Sequence, residues 1–166
     1  PELAIQYADF ASFQHGHFTG DALCSELEHW KKLLAGAPPI LELPTEFPRP
    51  KELTFEGATV EVGIDDALGG AIQEFCRAQR ATPFMFYTAC FKALLARYSG
   101  QTDIVLGTPI ANRDRTELEN LVGFVANTVL LRTTFSLKQT FQDLLQSVRA
   151  STLEALAHQQ LPFDKL

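Results

Sequence analysis

From Asp21 to Leu34 the apolar residues Leu23, Leu27, Trp30 and Leu34 recur at helical spacing. The stripe predicts a helix with Thr19 or Asp21 as its cap and Gly36 as its stop. Pro1 to Phe18 is rich in aromatics but holds no sustained period, so an irregular packed segment is expected there. Pro38, Pro39, Pro44, Pro48 and Pro50 then crowd a short stretch, which excludes helix and central strand alike and predicts an extended connector. Thr54 to Ile64 alternates through Phe55, Val60, Val62 and Ile64 and reads as a strand with Gly57 as a bulge.

Asp65 or Asp66 can cap a helix carrying Leu68, Ile72, Phe75 and Cys76 on one face. Thr82-Pro83 is an N-cap followed by proline in the first turn, and the helix after it is apolar nearly all round until Ser99-Gly100. Such a helix is expected to be buried on most sides. Ile104 to Leu106 and Phe124 to Leu131 are unbroken apolar runs, predicted as strands covered on both faces. The charged stretch Arg113 to Glu119 between them reads as a short solvated helix, and Thr140 opens a long one with Phe141, Leu144, Leu145, Val148 and Leu156 inward. Helices alternating with buried strands give an α/β or mixed α+β class, a sheet covered by helices.

Composition narrows the function. Twenty acidic against fourteen basic residues, with no basic cluster, disfavour phosphate-backbone binding and so nucleic acid. Charge-free stretches such as Ala81 to Phe91 fall far short of the roughly 20 residues that span a bilayer, so no membrane partner is expected. Three cysteines, Cys24, Cys76 and Cys90, follow no ligand spacing, which predicts reduced thiols and a cytoplasmic setting. The chain opens on Pro1 rather than Met and ends just past Pro162, and both ends are expected to continue into something longer.

Complete catalytic constellations are missing from the sequence. His15-Gly16-His17 has no third residue at metal-site spacing and reads as an exposed loop pair. Asn127-Thr128, a polar pair inside an apolar strand, has to satisfy its hydrogen bonds either in a buried structural network or at the wall of a cleft. Arg113 either pairs with an acid at the sheet edge or is solvated, and His158 suits a helix C-terminus, where the macrodipole favours a cation.

Ordered blocks carry a resemblance. Tyr7 to Gln14, with Asp9 and Phe10, resembles the YxDFAxWQ motif of the condensation domains of non-ribosomal peptide synthetases, with Phe13 for the usual tryptophan. Trp30 to Leu34 resembles their YWxxxL helix, and Leu43 to Pro50, with Pro44, Arg49 and Pro50, their LPTDxPRP connector. Arg97 to Ile104 and Gly107 to Arg113 are similar to RYSGQxDI and GxPxAxR. Val122 to Thr128 resembles IGxFVNT, with Val125-Ala126 altered, and His158 to Asp164 resembles HQDxPFE, with Gln160 for Asp and Asp164 for Glu.

The resemblance implies half of a chloramphenicol acetyltransferase-like fold, two subdomains forming a V around a tunnel. Residues 1–50 would end the N-terminal subdomain and its connector, and 51–166 would be part of the C-terminal one. It implies amide formation between carrier-bound acyl or peptidyl and aminoacyl thioesters. The partners would be upstream and downstream peptidyl carrier domains, an adenylation domain in cis and the missing N-terminal half. No cofactor would bind directly; the carriers would present phosphopantetheine arms. Gly123, Asn127 and Thr128 would line the tunnel, Arg113 would brace a loop, and Tyr7, His158, Pro162 and Phe163 would be structural. The family's HHxxxDG base motif has no counterpart, since no His-His pair occurs. The chain alone is therefore expected to be inactive. Other readings are a non-catalytic carrier-binding module and an epimerisation, cyclisation or ester-forming relative.

Overall fold

The computed structural model describes residues 3–48, 50–52 and 54–166. In chain order they form α1 (Tyr7–His17), α2 (Gly20–Leu34), α3 (Asp66–Ala78), α4 (Pro83–Ser99), β1 (Asp103–Ile110), α5 (Thr116–Glu119), β2 (Asn127–Thr134) and α6 (Phe141–Ala157), then a 3₁₀ turn at Phe163–Lys165. The two strands pair in an antiparallel two-stranded sheet. The class is mixed α/β, as the alternation of elements predicts. Two compact units are present, each from separate stretches: one holds the residues up to Ala37 with Val105–Thr133 and Ala150–Leu166, the other Pro38–Ile104 with Thr134–Arg149.

In the first unit the α2 stripe does what its spacing predicts. Thr19 occupies the cap position, and Trp30 packs with Val129, Leu131, Ala155 and Leu161, flanked by Leu23 and Leu27. Arg132 closes the far end of α2, its guanidinium donating to the carbonyls of Leu33 (2.7 Å) and Ala35 (2.8 Å), which satisfies acceptors that a helix C-terminus leaves open. Phe10, Leu118, Leu121 and Val125 form a second buried cluster. The irregular segment expected before Phe18 is instead the helix α1. Its apolar residues fall all round the axis and show no stripe, but Gln6 and Asp9 cap its start reciprocally, with the Gln6 N–H on the Asp9 carboxylate at 2.8 Å. The second strand starts at Asn127 rather than Phe124, and Val122 and Phe124 are exposed.

In the second unit Asp65 caps α3 by accepting from Leu68 N–H at 2.8 Å, and Thr82 caps α4 by accepting from Met85 N–H at 3.2 Å. Gly100 ends α4 in the left-handed region at φ 72°, where a Cβ would be strained. Phe75, Phe86 and Phe141 meet edge to face or tilted. Leu144, Leu145 and Val148 of α6 are buried, whereas Phe141 and, beyond this unit, Leu156 keep exposed surface that the expected stripe did not allow for.

Two expectations fail here for one reason. Thr54 to Ile64 lies in no helix or strand, and its alternating Val60 and Val62 are 85% and 83% exposed. Helix α4 buries Met85, Ala89, Lys92, Leu95 and Ala96, but Phe84, Tyr87, Phe91, Leu94 and Tyr98 form an exposed stripe on its other side. Both patterns are those of covered surfaces, and among the described residues nothing covers them. Soluble monomers rarely leave so much contiguous apolar surface open. The isolated 166-residue chain is expected to self-associate in sedimentation velocity runs. A monodisperse monomer that melts cooperatively would contradict this.

Candidate functional site

Within the first unit, the start of β2, the loop before it and the start of α1 border a half-open cavity of about 410 Å³. Tyr7 and Phe10, three residues apart and so on one face of α1, form one wall. Phe124, Asn127 and Thr128 form another, and Pro162, Phe163 and Asp164 line the remainder. The Tyr7 hydroxyl donates to the Phe124 carbonyl at 3.2 Å.

Asn127 resolves the choice between network and cleft in favour of both. Its amide nitrogen donates to the carbonyls of Gln159 (2.8 Å) and Leu161 (2.7 Å), and its oxygen accepts the Phe163 N–H at 3.0 Å. The side chain is thus spent on holding residues 159–163 while it lines the cavity. Thr128 also lines it, and its hydroxyl makes no hydrogen bond among the described residues.

Gly123 sits against the Tyr7 ring. A Cβ there would meet ring atom Cδ2 well inside contact, with Cγ at 3.0 Å and Cε2 at 3.1 Å. Gly123→Ala is expected to displace Tyr7, break its hydrogen bond to Phe124 and cost about 1–3 kcal/mol. Urea denaturation checks this, and a cost below about 0.5 kcal/mol would show that the ring yields freely.

The other sequence candidates are placed as follows. Arg113 donates through Nη1 to the Leu118 carbonyl, bracing the turn that carries α5. His158 follows the end of α6, and its Nδ1 meets the Glu26 carboxylate at 3.0 Å while its ring stacks on His29 at 3.5 Å. An acid on α2 therefore joins the macrodipole as its partner. Asp9 serves the α1 cap, and Pro162 precedes the 3₁₀ turn that carries Phe163. Pro44 and Pro50 are exposed, and Arg49 lies outside the described residues. His15 and His17 sit in the last turn of α1, not in a loop, and His17 contacts the rings of Phe13 and Phe18. Among the described residues no group of three acids, histidines or cysteines is placed to hold a metal, and no helix is long and apolar enough to cross a membrane.

Three further residues hold positions that the sequence candidates do not include: Glu26, Arg132 and Lys92. Glu26 and Arg132 gave no local signal, because their partners are distant in sequence. Lys92 did give one, as a cation in the middle of an apolar helix. It is 0% exposed, and its Nζ donates to the Ile104 carbonyl at 3.1 Å. Burial pulls its ammonium down to about 7, against the opposing pull of the nearby Asp103 carboxylate.

Comparison with known proteins decides the family. The family model "Condensation domain" matches residues 1–166. The chain belongs to the condensation domain family. It is 44% identical to malpinin synthetase of Mortierella alpina over 99% of its length, which is 2% of that protein. It is 44% identical to phosphinothricin tripeptide synthetase PhsC of Streptomyces viridochromogenes over 100% of its length and 15% of the relative's. Among solved structures, the complex of the X-domain and OxyB from teicoplanin biosynthesis matches with a TM-score of 0.91 and 27% identity, covering 99% of this chain and 37% of that one. This condensation-domain chain thus spans a small part of the curated relatives and about a third of the solved fold.

Proposed function

We propose that the protein carrying this chain joins a carrier-bound acyl or peptidyl thioester to a carrier-bound aminoacyl thioester. The amine nitrogen would attack the thioester carbonyl, the C–S bond would break and the donor carrier's thiol would leave. The family match over the whole chain carries this reading. Tyr7, Asn127 and Thr128 support a contribution to the path of a pantetheine arm, because they meet at one cavity. Gly123 would keep that wall thin beside Tyr7, the uncommitted Thr128 hydroxyl would serve an amide of the arm, and Asn127 would fix the opposite turn.

No histidine is among the described residues that line the cavity. The chain's contribution would then be alignment and carrier docking, and alignment of reactants supplies much of the rate in such reactions. A proton acceptor would come from outside these residues, as would the subdomain that residues 1–50 would complete. Carrier and adenylation domains in the same synthetase would be its working partners, in the cytoplasm.

Two carriers loaded with donor and acceptor test this. The protein carrying the chain is expected to yield the dipeptidyl carrier by mass spectrometry, and the isolated chain none. Product from the isolated chain would overturn the reading. A second reading, a binding module without chemistry, has one observation in its favour: the X-domain that this fold matches is itself recorded in complex with OxyB. Carrier binding without product would select it.

A further inference from the structure

A second cavity, of about 300 Å³, lies in the first unit on the other side of Phe10 and Gln14, which line both. Its size is at the low end of small-molecule sites. Ile5, Phe10, Phe18 and Leu118 give it an apolar floor. Phe13 forms a wall, with the Arg115 guanidinium 4.6 Å above the ring. Three carboxylates, Asp9, Asp114 and Glu117, line it against that one cation. Asp9 is engaged by the Gln6 N–H, and Asp114 accepts from the Gln160 amide at 2.9 Å. Glu117 has no partner among the described residues. Phe13 and Gln160 are both positions where the chain departs from the motifs that it resembles, so part of the cavity's wall is this chain's own, whereas Asp9 is shared with them.

We infer that this cavity is a binding site for a small apolar amine: an aromatic or branched alkyl body against Phe10, Phe13 and Leu118, with its ammonium on Glu117. The net negative lining selects a cation, and the aromatic floor selects the body. A neutral or anionic analogue of the same size loses the ion pair and meets the carboxylates instead. The inference does not depend on the reaction proposed above.

Equilibrium dialysis of radiolabelled phenethylamine against the whole protein carrying this chain tests it, with 3-phenylpropionate as the anionic control. Saturable phenethylamine binding is expected, with 3-phenylpropionate at least about tenfold weaker. Phe13→Trp, which fills the cavity with a larger ring, should weaken the amine about tenfold or more, and Glu117→Gln should remove most of the preference for amine over acid. Circular dichroism confirms that both variants are folded, and exposed Glu117 makes the second one safe in that respect. Saturable binding that both variants leave intact would overturn the inference, as would equal binding of the acid or no saturable binding at all. Loss of dipeptide formation has no bearing on any of these readouts.

Discussion

Lys92→Met is expected to abolish a gain in stability of about 3 kcal/mol that the parent shows between pH 7 and 9.5. Lys92 is fully buried in α4, and burial holds its ammonium down at about 7 instead of the ordinary 10.5. Between those values the unfolded chain keeps the proton and the folded chain releases it, so stability rises with pH across that window and levels off above it. Below about 7 both states are protonated and the full penalty applies. From pH 7 to 9.5 the parent should gain about 3 kcal/mol from this one group, and Lys92→Met should gain none of it. The variant also gives up the hydrogen bond to the Ile104 carbonyl, worth about 1 kcal/mol, and takes the opposite charge away from Asp103. Urea denaturation at the two pH values checks both statements. A parent whose stability is flat across the window would mean that Asp103 holds the ammonium charged.

Asn127→Ala is expected to cost about 2–4 kcal/mol, because one side chain satisfies two carbonyls and one N–H. Truncation leaves the Gln159 and Leu161 carbonyls and the Phe163 amide without their partner. Asn127→Asp should cost more. A carboxylate has no donor for the two carbonyls at 2.8 and 2.7 Å and sets a charge against them. Hydrogen exchange at the Phe163 amide is the local readout: Asn127→Ala removes its acceptor and should remove its protection, whereas Asn127→Asp keeps an acceptor for it. If Asn127→Ala instead keeps its stability within about 0.5 kcal/mol and loses only dipeptide formation, the side chain acts on substrate rather than on the turn.

The elements that were legible in the sequence are those whose signals are local. Thr82-Pro83 and Asp65 cap their helices through residues three positions away, and the α2 stripe needs only a surface to lie on. Helix α1 was hidden because its apolar residues are not on one side, and its cap is a Gln6–Asp9 pair instead of a serine or threonine. Alternation at Val60, Val62 and Ile64 states that a segment suits a sheet, but it does not supply the neighbour, and the described residues do not either. The apolar girth of α4 predicts burial on most sides, but among the described residues only one side of the helix is buried.

The site divides in the same way. Asn127-Thr128 stood out as a polar pair in an apolar run, so the position was legible, yet the role of Asn127 lies with Gln159, Leu161 and Phe163, which only the fold brings near. Glu26 beside His158, and Arg132 at the end of α2, are long-range pairs of unremarkable surface residues. Lys92 broke the apolar pattern of its helix and was visible on that ground. What the sequence lacked was the knowledge that its side of α4 faces inward.

A carrier domain whose pantetheine arm ends in a photoreactive group, irradiated with the protein carrying this chain, tests the central claim most directly. The account predicts that the label falls on the segments around Phe124–Thr128 and Pro162–Asp164 and that excess unlabelled holo-carrier suppresses it. Labelling confined to other segments, or unchanged when the carrier lacks its arm, would contradict it.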